Sequence, residues 1–120
     1  MSLHHKLCHV LGGTFDLPQA ETHTVVLPHT IAYNAPAEPA VISAVAKAME
    51  ADEAAAGLYD FIARLGAKQS LRELGMPEAG IEKAARLAIQ NPYWNPRKLE
   101  YQPVYEVIRR AWAGEAPGTI

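Results

Sequence analysis

Proline and glycine cut this chain into helix-length pieces, and within them apolar side chains recur every three or four residues. No run alternates apolar and polar positions in the manner of a half-buried strand. Ser2 to Leu11 predicts a first helix, with Ser2 as its cap and Gly12-Gly13 as its end. A turn over Thr14 to Leu17 follows. A second helix then starts near Pro18, a good first-turn residue, and runs to about Tyr33 with Val25, Val26, Leu27 and Ile31 inward. Pro28 falls inside it and is expected to kink or break it, because it lacks an N–H and crowds the preceding turn. Asn34 to Glu38 is a proline-containing link.

A third helix is expected from Pro39 to about Met49, with Val41, Ile42, Val45 and Met49 at helical spacing. A fourth spans Asp52, its cap, to Leu65, with Leu58, Phe61, Ile62 and Leu65 on one side, and Gly66 ends it. Ser70 and Glu73 have the spacing of a capping box before a short helix that stops at Gly75. Pro77 introduces a helix over Glu78 to Gln90, with Ile81, Ala84, Ala85, Leu87 and Ala88 packing. Asn91 to Pro96 forms a stiff aromatic turn. A last helix starts near Pro103 and runs to Ala113, carrying Val104, Val107, Ile108 and Trp112. The sum is an all-α protein, a compact helical bundle in one domain over residues 1–114, with a loose tail at 115–120.

Composition narrows the partners. Net charge is −2 with no basic stripe, so no nucleic acid is expected. No apolar run is long enough for a membrane span, and no signal segment is recognisable. Cys8 is the single cysteine, so no internal disulfide forms, and a reducing, cytoplasmic compartment fits.

The chemistry is concentrated near the start. Four of the five histidines are His4, His5, His9 and His23, and His29 follows closely. His5 and His9 are four apart and share a helix face, a spacing that suits two imidazoles converging on a metal or a substrate. The same spacing also arises by chance. Gln19 and His23 share a face of the second helix. His4 and Lys6 point elsewhere and are expected on the solvated surface. Cys8 reads as a small buried hydrophobe, Asp16 and Glu21 as caps, and Tyr93 and Trp94 as turn packing. His29 is expected to bond to backbone freed by Pro28.

The stretches Leu3-His-His-Lys-Leu-Cys-His-Val-Leu-Gly-Gly-Thr-Phe-Asp-Leu-Pro18 and Ala20-Glu-Thr-His-Thr-Val-Val-Leu-Pro-His29 resemble maleylacetate reductases. So do Asn91 to Arg97 and Arg110 to Gly114. These enzymes belong to the iron-containing alcohol dehydrogenase superfamily, in which a helical domain packs against a nucleotide-binding domain with the active site between. The resemblance implies reduction of maleylacetate to 3-oxoadipate with NADH or NADPH, in the breakdown of aromatic compounds. It places His5 at a metal-ligand position of the metal-dependent relatives and His9 beside nicotinamide and substrate. A further ligand position is Gln19 here, and two more ligands come from a region of the family that this sequence does not match.

Gln19 is a weak donor for iron or zinc, so no metal is expected on these residues. No Gly-rich phosphate loop is present, so the 120 residues are expected to bind no nicotinamide themselves and to be truncated relative to the family. His5, His9 and His23 are the expected catalytic residues. Lys6, Gln19 and Arg97 are the expected contacts to a small dicarboxylate or oxo-acid. Two other functions stay open. One is a stand-alone protein using its histidines for hydride-free isomerisation, dehydration or decarboxylation. The other is a non-catalytic interaction module. An exposed stripe of Leu3, Leu7 and Leu11 is expected to drive self-association into a homo-oligomer.

Overall fold

The computed structural model describes residues 2–48, 53–90 and 97–118. Among them are six α-helices and no strand: α1 Ser2–Phe15, α2 Gln19–Asn34, α3 Pro39–Ala48, α4 Ala54–Arg64, α5 Gly80–Ile89 and α6 Tyr101–Ala113. A 3-10 turn, Ala35–Ala37, joins α2 to α3. None of these helices is long and apolar enough to cross a membrane. The expected Met49, the Asp52 cap and the aromatic turn at Asn91 to Pro96 lie outside the described residues.

The first helix is longer than its glycines suggest. It runs straight through Gly12 and Gly13, and the left-handed residue that ends it is Asp16, at φ 54°. Glycine permits a positive φ without requiring one. What holds the extra turn is packing: the Phe15 ring covers Gly80, where an added Cβ would sit 2.5 Å from Phe15 Cζ.

Leu3, Leu7 and Leu11 line one face of α1, and all three are buried. The expectation of an exposed leucine stripe is therefore wrong, and the surface invoked for self-association is interior. The helices that cover α1 are α2 and α5. The inward face of α5 is mostly alanine, with Ala84, Ala85 and Ala88 fully buried, and small side chains let a neighbouring helix approach closely.

Pro28 does not break α2. The ring is buried in a helix that α1, α4 and α6 contact, so tertiary packing outweighs the lost backbone donor, a cost of about 3 kcal/mol. Three threonine hydroxyls also donate back along the helix: Thr22 to the Pro18 carbonyl at 2.7 Å, Thr24 to Ala20 at 3.0 Å and Thr30 to Leu27 at 3.0 Å.

The helices α3 and α4 form an outer layer. Of the apolar residues expected to pack there, Val41, Val45, Phe61 and Leu65 are exposed, whereas Ile62 is buried. Helical spacing marks a face, but among the described residues α3 packs mainly on α4 and the 3-10 turn, so little of that face is covered. Gly66, at φ 76°, follows α4 as expected.

Ser70 makes half of its capping box. Its hydroxyl accepts from the Glu73 N–H at 3.3 Å and donates to the Glu73 carboxylate at 2.7 Å. No helix follows, because residues 71–75 form turns docked on the end of α6. Leu71 N–H donates to the Ala111 carbonyl at 2.9 Å, and the Trp112 indole donates to the Met76 carbonyl at 2.8 Å. Tight turns at Pro77 delay α5 to Gly80. Gly114, at φ 79°, closes α6. Beyond it, Glu115 pairs with Arg109 at 2.8 Å, and the Gly114 carbonyl accepts from Tyr59 at 2.7 Å.

Asp16 gives the fold a direct test. A β-branched residue at its left-handed φ is costly, whereas glycine is free there. Asp16→Val should lower unfolding stability by about 1–2 kcal/mol. Asp16→Gly should hold or raise it. Urea midpoints that coincide for the two variants would refute this ending of α1.

Candidate functional site

The buried leucines fix which way every other side chain of α1 points. At about 100° per residue, His4 and Cys8 lie about 80° round from the leucine face, and His5 and His9 about 180° round. His4 and Cys8 are accordingly buried at the edge of the core, whereas His5 and His9 are exposed.

A cavity of about 370 Å³ opens between α1 and the start of α2. His5, Cys8, His9, Gly12 and Gly13 form one wall, and Leu17, Gln19 and His23 form the other. A Cβ on Gly12 or Gly13 would meet no atom within 4 Å, so these glycines leave the wall open. The pairing of His5 with His9, and of Gln19 with His23, is thus realised in one place. His9 also lines a second depression of about 330 Å³ on its far side, with Lys6, Leu87 and Gln90. Lys6 is therefore near His9 and outside the first cavity.

Arg97 is not brought to either cavity. Its guanidinium stacks on the Tyr33 ring at 4.2 Å and donates to the Tyr33 carbonyl at 3.0 Å, at the far end of α2. Chain spacing alone does not locate a residue so distant in sequence.

His4 corrects the sequence reading most. It is buried, not solvated. Its Nε2 faces the Cys8 Sγ at 3.7 Å, and its Nδ1 faces the Thr30 hydroxyl at 3.4 Å. The His23 ring lies edge-on to it at 5.0 Å. Burial, with the neighbouring His23, His5 and N-terminal charges, lowers its pKa to about 4. The (i, i+4) spacing of His4 and Cys8 matches that of His5 and His9, so the sequence carried the signal. The partner, Thr30, came only with the fold. Cys8 is the buried thiol expected, and burial raises its pKa to about 12.

His29 also departs from expectation. It is buried, and its Nε2 has no hydrogen-bond partner among the described residues. Burial, then the positive charge of Arg110, lowers its pKa to about 4, against an opposing pull from Glu115.

Residues 1–112 match the family model described as Fe-containing alcohol dehydrogenase family, C-terminal. A maleylacetate reductase of Sphingobium indicum is 50% identical over 119 residues, which is 99% of this chain and 34% of that protein. The crystal structure of maleylacetate reductase from Rhizobium sp. strain MTP-10005 superposes with a TM-score of 0.92 at 50% identity, over 98% of this chain and 33% of that one. An iron-containing alcohol dehydrogenase from Corynebacterium glutamicum gives a TM-score of 0.86 at 36% identity, covering 95% and 32%. The chain spans about a third of the length of the relatives it matches.

The buried His29 makes stability pH-dependent. The folded state resists its protonation down to about pH 4, whereas the unfolded chain takes up the proton near pH 6.5. The contribution is therefore complete above pH 6.5 and is lost progressively as pH falls toward 4, by up to about 3 kcal/mol. His29→Leu should flatten this part of the stability profile. Parallel profiles for the two proteins would show that His29 is already accessible to protons in the folded state.

Proposed function

This chain belongs to the Fe-containing alcohol dehydrogenase family, and we propose that it forms the helical, substrate-facing part of a maleylacetate reductase. The observation that supports this most is the 50% identity to a maleylacetate reductase over nearly the whole chain. The gathering of His5, His9, Gln19 and His23 around one cavity agrees with it.

Reducing maleylacetate to 3-oxoadipate saturates a carbon–carbon double bond, so the reaction needs one hydride and one proton. A reduced nicotinamide, when bound, supplies the hydride. The residues of this chain do the rest. His5, His23 and the Gln19 amide present donors to the carboxylate and oxo oxygens of the substrate from two walls of the cavity. His9 stands between the two depressions, where its imidazole can hold and deliver a proton to the substrate. Lys6 adds a cation on the far side of His9. Arg97, committed to Tyr33, takes no part.

The family name implies iron. Of its ligand positions this chain supplies His5, an imidazole that would hold iron, and Gln19, whose amide oxygen is a weak donor for it. Among the described residues the one convergent group of His, Cys, Asp or Glu ligands is His4, Cys8 and His23, which leaves out both positions.

The experiment is a domain replacement. This chain is grafted in place of the matching C-terminal third of the Rhizobium maleylacetate reductase. The chimera should oxidise NADH in a maleylacetate-dependent way, and His9→Ala should cut kcat by about 10²–10⁴-fold. A folded chimera that binds NADH without turnover, or a His9→Ala variant as fast as its parent, would overturn the proposal.

A further inference from the structure

The fold brings together a second set of donors that the reductase reading leaves unused as a unit. His4 and Cys8 stand one turn apart on α1, and His23 reaches them from α2. One ligand atom from each lies within 4.8 Å of the other two. Tetrahedral zinc, with bonds of about 2.0–2.1 Å to nitrogen and 2.3 Å to sulfur, sets nitrogen and sulfur about 3.6 Å apart and two nitrogens about 3.4 Å apart. The His4 Nε2 to Cys8 Sγ separation is already 3.7 Å. The three atoms are thus already close to the separations a shared zinc would set.

We propose that His4, Cys8 and His23 form a zinc site whose fourth position opens into the cavity between α1 and α2.

The orientation of His4 supports the site. The Thr30 hydroxyl donates its one proton to the Leu27 carbonyl at 3.0 Å, so toward His4 it can only accept. His4 therefore carries its proton on Nδ1, which leaves the Nε2 lone pair facing Cys8. A metal-binding imidazole is commonly held in this way, with its far N–H anchored to a neighbouring acceptor.

A thiol–imidazole hydrogen bond would account for His4 and Cys8 alone, but it needs no second imidazole from another helix. Two imidazoles with one thiolate are a borderline-soft donor set that suits zinc. Cys8 and His23 both line the cavity wall, so a zinc held there has room for water or a substrate oxygen in its fourth position. The site is separate from the family's ligand positions at His5 and Gln19. It stands whether or not the chain serves a maleylacetate reductase.

Zinc titration of the purified, chelator-stripped chain against a chromophoric competitor tests it, with cobalt as a spectroscopic substitute. One zinc per chain is expected, with a thiolate-to-cobalt charge-transfer band in the cobalt form. Cys8→Ser should abolish the band and weaken zinc binding by about a hundredfold or more, and His23→Gln should weaken it similarly. His5→Gln should leave affinity unchanged. Circular dichroism checks that each variant is helical, and the partly exposed His23 carries the test if Cys8→Ser does not fold. No stoichiometric zinc, or zinc that survives Cys8→Ser and is lost with His5→Gln, would overturn the proposal.

Discussion

Everything chemical in this molecule depends on the burial of Leu3, Leu7 and Leu11. Those three side chains set the rotation of α1 about its own axis. Deleting a buried leucine side chain costs about 2–5 kcal/mol, far more than exposed histidines contribute to a helix's orientation. With the leucines fixed, the remaining positions follow from helical geometry. His4 and Cys8 fall at the edge of the core, His5 and His9 face the cavity, and Lys6 lies beyond them. Two donor pairs one residue out of step thus serve different surroundings.

The second helix completes the arrangement from the other side. It places Gln19 and His23 across from α1 and sets Thr30 under His4. That requires α2 to run unbroken past Pro28, which its packing against α1, α4 and α6 secures. A break at Pro28 would free Thr30 from the turn that directs its hydroxyl to Leu27, and His4 would lose its fixed tautomer. A backbone feature far from the cavity thereby controls the state of a side chain beside it.

Much of this was legible in the sequence, for definable reasons. Helical spacing and proline and glycine breaks gave the all-α bundle and the approximate place of each helix. The His5–His9 and Gln19–His23 pairs are local spacings, and local spacings survive folding. What stayed hidden depends on tertiary partners. The leucines of α1 were expected to be uncovered because the helices that cover them, α2 and α5, lie later in the chain, and spacing within α1 does not name its neighbours. Val41 and Phe61 looked buried because spacing reveals a face and not its neighbour. The glycines at 12 and 13 looked like an ending, yet the contact of Phe15 with Gly80 carries α1 past them. His4 was misplaced on the surface because Thr30 lies 26 residues away.

The rotation of α1 can be read at a single imidazole. Nitrogen NMR of His4 across a pH titration reports both its tautomer and its protonation. The account predicts the Nδ1–H form, staying neutral until the pH approaches about 4. A His4 that carries its proton on Nε2, or that titrates near pH 6.5 as an exposed imidazole does, would contradict it.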